Sequence, residues 1–368
     1  MAETSNPAPL PQILDISPYV PGHAPDEAAG VRTYKLASNE NPLGCSPAAR
    51  AAYIAAAEKL EVYPSGDAAA LREAIGARYG LDPNRIICGA GSDEIFQMLA
   101  RAYLAPGDNI VQSAHAFLVY KLVAQQSGAE TIDAPERELT ADVDALLERV
   151  TPRTKLVFIA NPNNPTGTYL PFDEVRRLHA CLPSNVLLVL DGAYAEYVRN
   201  NDYSSGVELV SEFDNVIMTR TFSKIHGLAA LRLGWAYGPA SVIDALHRVR
   251  GPFNVSAPAQ AAGIAALQDQ DFVDRSVAIN ETGKAALSEG CAKLGLPSVD
   301  SVGNFVLVRC PDDPKRNAAA AAAFLKTRHI TVRAMAAYKL ADYIRISVGD
   351  ADAVDAVLEG LRAFMATA

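Results

Sequence analysis

The sequence predicts an α/β fold, with a mostly parallel sheet in a large domain and a smaller α+β domain after it. The length of 368 residues agrees with two domains of roughly 150 residues each or somewhat more. Between about residues 85 and 240, short apolar runs that are nearly free of charge alternate with helical patterns. Such runs are typical of strands that helices cover on both faces. After Pro252 the order changes to a long helical stretch, short strands and alanine-rich helices.

Five apolar runs predict the strands of the large domain. The last three begin about 30 residues apart, which is the length of a strand, a crossover helix and their loops. Helical periodicity predicts the helices between the strands. In such a sheet, ligands bind at the carboxyl ends of the strands. The predicted strands cover residues 85–88, 109–112, 155–160, 186–190 and 216–219, and the predicted helices cover 68–79, 93–103 and 172–181.

The domain organisation follows from these patterns. Residues 42–255 form the predicted large domain and 256–368 the predicted small domain, which a single helix over about 258–294 begins. Residues 1–41 are too short for a domain, so we expect them to pack on the small domain or on a dimer partner. The predicted small-domain strands cover 304–309, 330–333 and 343–348, and its later helices cover 317–328 and 351–365.

Composition excludes several classes of function. The chain has 33 basic and 42 acidic side chains, a net charge of −9, and no run of Lys or Arg, which argues against nucleic-acid binding. Its five cysteines are scattered without a CxxC pair, as expected of free thiols in a reducing compartment such as the cytoplasm. No signal peptide or membrane span is predicted. The six histidines show no metal-ligand spacing, so no metal is expected.

Lys224 lies just after the predicted strand 216–219, among apolar residues and glycine. A lysine in such a place is either an ordinary loop residue or an amine whose pKa is lowered for Schiff-base chemistry. Thr221 and Ser223 flank it, and Arg232 follows eight residues later. Two hydroxyls and a guanidinium around one amine are the groups that a phosphate beside an aldehyde would need.

Asp191 directly follows the predicted strand 186–190. A carboxylate at the end of a buried strand is costly unless it meets a cation, and a protonated pyridine nitrogen is such a cation. The alternative is a helix N-cap, for which Asp is also preferred.

Two more loops follow strand ends. Residues 161–167 read NPNNPTG, an irregular turn whose Asn amides either face a ligand or form an Asx turn. Residues 89–94 read GAGSDE, where glycines and a helix start offer backbone N–H groups to a phosphate. The latter lacks both GxGxxG and P-loop spacing, so the pattern does not favour a nucleotide site.

In this combination, the chain resembles the pyridoxal-phosphate-dependent aminotransferases of the aspartate-aminotransferase fold (fold type I). Within them it is most similar to the histidinol-phosphate aminotransferase family. The resemblance extends from about Tyr19 to Gly349. Its markers are LASNENPLG (36–44), YPSG (63–66), GSDE (91–94), NPNNPTG (161–167), DGAY (191–194), SK (223–224), LRLG (231–234) and IRISVG (344–349).

The resemblance implies that pyridoxal phosphate is the cofactor and that three residues are catalytic. Lys224 would be the Schiff-base lysine and proton shuttle, Asp191 would pair with the pyridine nitrogen, and Tyr194 would hydrogen-bond the ring 3′-oxygen. Asn164 would contact the same oxygen. Phe117 stands where relatives often have a tyrosine stacked on the ring, and a phenylalanine keeps the stacking but not a hydroxyl contact.

The resemblance also implies how the cofactor phosphate is held. Ser92, Asp93 through its backbone N–H, Ser223 and Arg232 would contact it within one subunit. Tyr63 would reach the phosphate of the partner subunit's cofactor. A homodimer with shared active sites would therefore be the catalytic unit.

For the substrate, the resemblance implies Tyr19, Asn39, Arg333 and Arg345, with the two arginines on its anionic end. A guanidinium in a short apolar strand also has a structural alternative, a salt bridge to a carboxylate. Gly192 departs from the family, because many relatives have glutamate there. A reshaped turn after Asp191 is therefore expected.

The implied reaction is ping-pong transamination between a small-molecule amino donor and a 2-oxo acid. L-histidinol phosphate and 2-oxoglutarate would give imidazole-acetol phosphate and L-glutamate, a step of histidine biosynthesis. One alternative is aromatic amino-acid transamination, since Phe117, Tyr19 and Tyr120 would favour a ring. Another is decarboxylation of threonine phosphate. A dehydrogenase would need a full GxGxxG, and a non-catalytic cofactor-binding protein would be expected to lack Lys224 or Asp191.

Overall fold

The computed structural model of this chain describes residues 7–17 and 32–366. The predicted substrate residue Tyr19 lies outside these ranges. The helices are α1 (Pro11–Leu14), α2 (Pro47–Ala56), α3 (Ala69–Tyr79), α4 (Ser92–Tyr103), α5 (Leu118–Gln126), α6 (Val143–Glu148), α7 (Phe172–Cys181), α8 (Val207–Glu212), α9 (Ala240–Val249), α10 (Ala257–Gln268), α11 (Gln270–Lys293), α12 (Ala318–Thr327) and α13 (Ala351–Ala366). The strands are β1 (Tyr34–Lys35), β2 (Ile86–Gly89), β3 (Asn109–Ser113), β4 (Glu130–Ala134), β5 (Glu136–Arg137), β6 (Thr140–Ala141), β7 (Thr154–Ala160), β8 (Leu187–Asp191), β9 (Val216–Thr221), β10 (Gly234–Tyr237), β11 (Phe305–Arg309), β12 (Ile330–Thr331), β13 (Arg333–Ala334) and β14 (Tyr343–Ser347).

The large sheet has the strand order β2-β10-β9-β8-β7-β3-β4. Strand β10 runs antiparallel to both of its neighbours, and the pairs from β9 to β4 are all parallel. The predicted mostly parallel sheet is therefore confirmed. Strand β4 is missing from the prediction because its sequence, ETIDA, carries two acidic residues, as an edge strand can.

Apolar side chains alternate between the two faces of this sheet. Ile86 and Val157 belong to the core on one face, whereas Ile87 and Leu156 belong to the core on the other. Each such side chain contributes about 1.5–3 kcal/mol when fully buried, so both faces must be covered by helices. This two-sided burial explains why the strands are apolar without interruption.

The predicted single helix over 258–294 is wrong, because the structure has two helices, α10 and α11. Asp269 separates them, and its side chain accepts a hydrogen bond from the backbone N–H of Phe272 at 3.0 Å, which caps α11. Helix α10 packs in the core of the large sheet through Ala262 and Ala266. We therefore propose a domain boundary near Asp269 rather than between residues 255 and 256.

The small domain contains a three-stranded antiparallel sheet of order β11-β14-β13. The predicted strand 330–333 is divided, because β12 pairs in parallel with β1 whereas β13 pairs with β14. Strand β1 thus attaches residues 34–35 to the small domain. Helices α12 and α13 cover the sheet through Leu325 and Leu361.

Candidate active site

A cavity of about 190 Å³ lies at the carboxyl ends of β7, β8 and β9, beside the start of α4. This is where the strand order predicts a ligand. Every predicted cofactor-binding residue except Tyr63 lines it. The lining residues are Ser92, Asp93, Phe117, Ala160, Pro162, Asn164, Asp191, Ala193, Tyr194, Thr221, Ser223, Lys224, Ala229 and Arg232.

Lys224 reaches the cavity from the loop that follows β9. Its Nζ donates a hydrogen bond to the backbone oxygen of Ser38 at 3.0 Å and lies 5.9 Å from the centre of the Tyr194 ring. Burial lowers the pKa of Lys224 to about 8, and the positive charge of Arg345 acts in the same direction. A much larger fraction of this amine is therefore neutral at pH 7 than of an ordinary lysine.

Asp191 ends β8, and its carboxylate is buried below the cavity. One oxygen, Oδ2, accepts a hydrogen bond from the Tyr120 hydroxyl at 2.6 Å. The other, Oδ1, accepts from the Ala193 N–H at 3.2 Å and the Thr219 hydroxyl at 3.3 Å. Burial raises the pKa of Asp191 to about 6, while these hydrogen bonds oppose the rise.

The alternative that Asp191 is a helix N-cap is wrong. The next helical turn is a 3₁₀ segment, Ala195–Tyr197, whose N-cap residue is Tyr194 and which has no side-chain cap. The carboxylate hydrogen-bonds ahead of this turn, at Ala193, and faces the cavity.

Tyr120 is not placed to favour a substrate ring, so that part of the aromatic prediction is wrong. Its side chain is fully buried and stacks on Phe158 with ring centres 4.5 Å apart. Its hydroxyl donates to Asp191, and the residue does not line the cavity. The sequence does indicate that Tyr120 lies beside Phe117, because a spacing of three residues puts two side chains on one helix face. It does not indicate the contact with Asp191. The two rings meet edge to face at 5.7 Å.

The opposite end of the cavity is suited to an anion. Helix α4 begins at Ser92 and directs its backbone N–H groups there. The guanidinium of Arg232 contacts the Ser223 hydroxyl at 3.3 Å and the Asp93 carboxylate at 3.1 Å. The side-chain contact of Asp93 adds to the backbone role predicted for it. Gly91 has a φ of +80°, which residues with a side chain rarely adopt, and a Cβ there would lie 2.4 Å from Arg232 Nη2 and displace the guanidinium.

Residues of the small domain and of the segment 36–41 form the remaining side of the site. Arg345 donates hydrogen bonds to the side chain of Asn164 and, at 2.7 Å, to the backbone oxygen of Ala37. Asn39 donates to the Tyr194 hydroxyl at 2.8 Å and accepts from the Ser347 hydroxyl at 2.9 Å. The sequence pattern does not indicate the contacts of Ser38 and Ser347, because they depend on how the two domains meet.

The predicted substrate residues Asn39, Arg333 and Arg345 are not among the residues that line the cavity. Arg333 lies directly opposite Arg345 in the β13–β14 register. Directly opposite residues share one face of a sheet, so the two arginines lie on the same face.

Tyr63 lies outside the cavity of its own chain. It is 78% exposed and stacks on Phe253 with ring centres 4.6 Å apart. His115 and His226 also lie outside, the first bonded to Glu136 at 2.7 Å and the second buried against Phe222.

Gly192, the departure from the family, lies beside the side chain of Arg220. A Cβ at Gly192 would be 3.1 Å from Arg220 Cδ. Arg220 is buried and pairs with Glu196 at 2.7 Å. The Arg220 guanidinium therefore has its carboxylate partner in Glu196, which lies in the 3₁₀ segment just after residue 192. Gly192 itself has no carboxylate to offer.

Among residues 7–17 and 32–366, no group of three or more His, Cys, Asp or Glu residues could hold a metal ion. No helix in these ranges is both long and apolar enough to cross a membrane.

Comparison with known proteins gives concordant results. The family described as "Aminotransferase class I and II" matches residues 32–361. Histidinol-phosphate aminotransferase of Rhodopseudomonas palustris strain TIE-1 is 56% identical over 361 residues, 98% of this chain and 99% of that protein. The Nitrobacter winogradskyi protein of the same name is 53% identical over 362 residues, with the same coverage. Histidinol-phosphate aminotransferase from Sinorhizobium meliloti, solved in complex with pyridoxal-5′-phosphate, superposes with a TM-score of 0.90 at 27% identity and covers 100% of both chains.

Proposed function

Because the chain belongs to the class I and II aminotransferase family, we propose that it is a histidinol-phosphate aminotransferase with pyridoxal phosphate as cofactor. It transfers the amino group of L-histidinol phosphate to 2-oxoglutarate and so serves histidine biosynthesis. The observation that carries the proposal is that a single cavity presents the Lys224 amine, the Asp191 carboxylate and the anion-binding end at Arg232. The relatives of the same name, 53–56% identical over nearly the whole chain, support the choice of substrate.

The donor set fits the cofactor. When bound, the cofactor supplies an aldehyde carbon that amines attack and a ring that stores an electron pair. Asp191 would hold the protonated ring nitrogen, and Asn164 and Tyr194 the 3′-oxygen. Phe117 would pack on the ring. The phosphate would be held by the helix start at Ser92 and Asp93 and by the side chains of Ser223 and Arg232.

Lys224 is the residue that moves a proton. With a pKa of about 8, its Nζ exchanges protons readily near neutral pH. It would accept the proton from the substrate carbon that carries the amine and deliver it to the cofactor's aldehyde carbon within the same half-reaction. In the second half-reaction it would move a proton in the opposite direction. Tyr194 and Ser38, which adjoin Nζ, would orient it.

Arg333 and Arg345 would bind the anionic end of both substrates. Histidinol phosphate has a phosphate and no carboxylate, whereas glutamate has two carboxylates and must use the same site. Planar guanidinium groups pair bidentately with either anion. Asn39 contacts Tyr194 and Ser347, which lies two residues after Arg345. Tyr19, which lies outside the described residues, would add a hydroxyl.

The change Arg333→Leu should raise the KM for histidinol phosphate at least about tenfold, because a hydrogen bond to a charged group contributes roughly 1.5–3 kcal/mol. The absorbance of the bound cofactor should not change, since the phosphate end at Arg232 is separate. Steady-state kinetics with Arg309→Leu provide the matched control, because Arg309 is an exposed arginine of the same sheet that pairs with Asp342.

The experiment that tests the function is a specificity profile of purified protein with histidinol phosphate, phenylalanine, tyrosine and threonine phosphate. The protein should be yellow, should lose that colour on borohydride reduction, and should have its highest kcat/KM with histidinol phosphate. If phenylalanine is the better substrate and Arg333→Leu leaves histidinol-phosphate kinetics intact, the enzyme is an aromatic aminotransferase. Release of carbon dioxide from threonine phosphate would instead identify a decarboxylase.

A homodimer with shared sites is part of the proposal. Tyr63 is exposed in a single chain, and Ile54, Leu60 and Val62 nearby are exposed apolar residues. An apolar surface of this kind is typical of an interface. Tyr63 would cross this interface to the partner's cofactor phosphate.

Mixing Lys224→Ala with Tyr63→Ala should restore activity that neither variant has alone. A hybrid dimer contains one site with both residues, so random pairing should recover roughly a quarter of the wild-type activity. Activity of the mixture, measured after subunit exchange, tests this expectation. A monomer by analytical ultracentrifugation, or no recovery in dimers shown to be hybrid, would contradict it.

We place the reaction in a reducing compartment such as the cytoplasm. The cysteines are free thiols, and Cys88, Cys291 and Cys310 are buried. Burial raises the pKa of Cys88 to about 12, which makes this thiol a poor nucleophile. This supports a structural rather than a disulfide role.

A further inference from the structure

We propose that Tyr120 is a positioning residue for Asp191: its hydroxyl donates to one carboxylate oxygen, so that a proton shared between this carboxylate and the ring nitrogen of the cofactor stays on the nitrogen. The inference rests on the proposed function, since it requires the cofactor to bind above Asp191. It gives a buried tyrosine, so far without a role, a measurable part in the reaction.

The Tyr120 hydroxyl is held in one position. Its ring stacks on Phe158 at 4.5 Å with an interplanar angle of 14°, and meets the edge of Phe96 at 5.0 Å. The side chain has no exposed surface. A buried hydroxyl needs a partner, and here the partner is the Asp191 carboxylate at 2.6 Å.

The carboxylate receives hydrogen bonds at both of its oxygens, which fixes its plane. Among the residues that the structure describes, Tyr120 makes the shortest of these bonds and is the one donor to Oδ2, whereas Ala193 and Thr219 share Oδ1. All three donors are uncharged. They stabilise the anion without neutralising its charge, which stays available to a cationic ligand.

Tyr120 also opposes the effect of burial on the carboxylate. Burial raises the pKa of Asp191 to about 6, and the hydrogen bond from Tyr120 is the largest effect that lowers it. Burial and the Asp191 charge raise the pKa of Tyr120 well above its ordinary value, so this phenol remains a protonated donor. The two shifts together keep the proton on the tyrosine and the charge on the aspartate.

Removal of the donor has a definite chemical consequence. Without it, the carboxylate becomes more basic and competes better for a proton shared with the ring nitrogen. A ring nitrogen that loses this proton makes the ring a weaker electron store. Proton removal from the substrate by Lys224 then slows, although the substrate still binds through the arginines.

The test compares Tyr120→Phe with Tyr203→Phe. Phenylalanine keeps the ring packing and removes the hydroxyl. Tyr203 is the matched control, because it loses a bond of similar length, 2.8 Å to the backbone oxygen of Asn161, that does not involve Asp191. Each holoenzyme is reconstituted with cofactor labelled with ¹⁵N at the ring nitrogen and observed by NMR.

For Tyr120→Phe, we expect the ¹⁵N signal to move from the protonated toward the unprotonated position. We expect kcat to fall about tenfold to a hundredfold with little change in KM, as for loss of a hydrogen bond to a charged group. As the pH is lowered, the dissociation constant of the cofactor should begin to rise at a higher pH than in the wild type. This titration can be measured even if the variant binds the cofactor weakly. Tyr203→Phe should match the wild type in all three measurements.

An unchanged ¹⁵N signal together with an unchanged pH dependence of cofactor binding in Tyr120→Phe would overturn the proposal. Equal effects of both substitutions would also overturn it, because they would show a general packing role. A wild-type protein that binds no cofactor would contradict the proposed function itself, so the two failures are distinguishable.

Discussion

Lys224→Ala should abolish transamination, with kcat at least about 10⁴-fold lower than in the wild type, because covalent capture of the cofactor and proton transfer both lose their amine. The cofactor should still bind through Asp191 and Arg232, more weakly and without covalent attachment. Borohydride treatment followed by mass spectrometry distinguishes attached from unattached cofactor. Lys224→Arg should be equally inactive, since a guanidinium is always protonated.

The pH dependence of cofactor capture gives a second measure of Lys224. The neutral amine is the reactive form, and the pKa is lowered to about 8. The rate at which the cofactor-free wild type becomes yellow should therefore rise with pH, pass its midpoint near pH 8 and then level off. Lys224→Ala should never acquire this absorbance. Lys339→Ala, which removes an exposed lysine paired with Asp133, is the control and should behave as the wild type. Turnover by Lys224→Ala would contradict the assignment of Lys224 as the reactive amine.

Asp191→Asn should keep the fold and lower kcat by about 10²–10⁴-fold, the range of a positioned proton-holding group, because a neutral amide cannot hold a proton on the ring nitrogen. Single-turnover absorbance measurements isolate the chemical step, and thermal unfolding monitors the fold. Asp133→Asn is the control, since Asp133 lies on the edge strand β4 of the same sheet and pairs with Lys339.

The raised pKa of Asp191 determines how cofactor affinity should change with pH. Asp191 is ionised above about pH 6 and protonated below it. The wild type should therefore lose cofactor affinity as the pH falls through about 6, whereas Asp191→Asn should be weak at every pH and lack this inflection. Near wild-type activity of Asp191→Asn would show that the carboxylate is not needed.

Elements decided by local pattern could be predicted from the sequence. The strands that became β7, β8 and β9 are apolar without interruption because both faces of the sheet are buried, and their ends locate Asn164, Asp191 and Lys224 in one cavity. Helix α7 has its predicted bounds because its apolar periodicity ends where the chain leaves the sheet face.

Features decided by tertiary context could not be predicted. The break at Asp269 falls between two stretches that both favour helix. Asp269 caps α11, and the two helices pack on different cores, neither of which the helical periodicity indicates. The chain between Thr331 and Arg333 changes sheets without a glycine or proline to mark it. The contact of Tyr120 with Asp191 joins residues 71 positions apart, which helical spacing on one element cannot reveal.

The hydrogen bonds from Ser347 through Asn39 to Tyr194 connect the substrate side of the site to the cofactor side. Arg345, two residues before Ser347, also contacts Asn164 directly. A ligand that displaces β14 must therefore rearrange the groups that face the cofactor. By thermodynamic linkage, any factor by which the cofactor tightens substrate binding is also the factor by which the substrate tightens cofactor binding. If the cofactor tightens substrate binding, bound substrate therefore slows the loss of cofactor during turnover by raising the affinity for it.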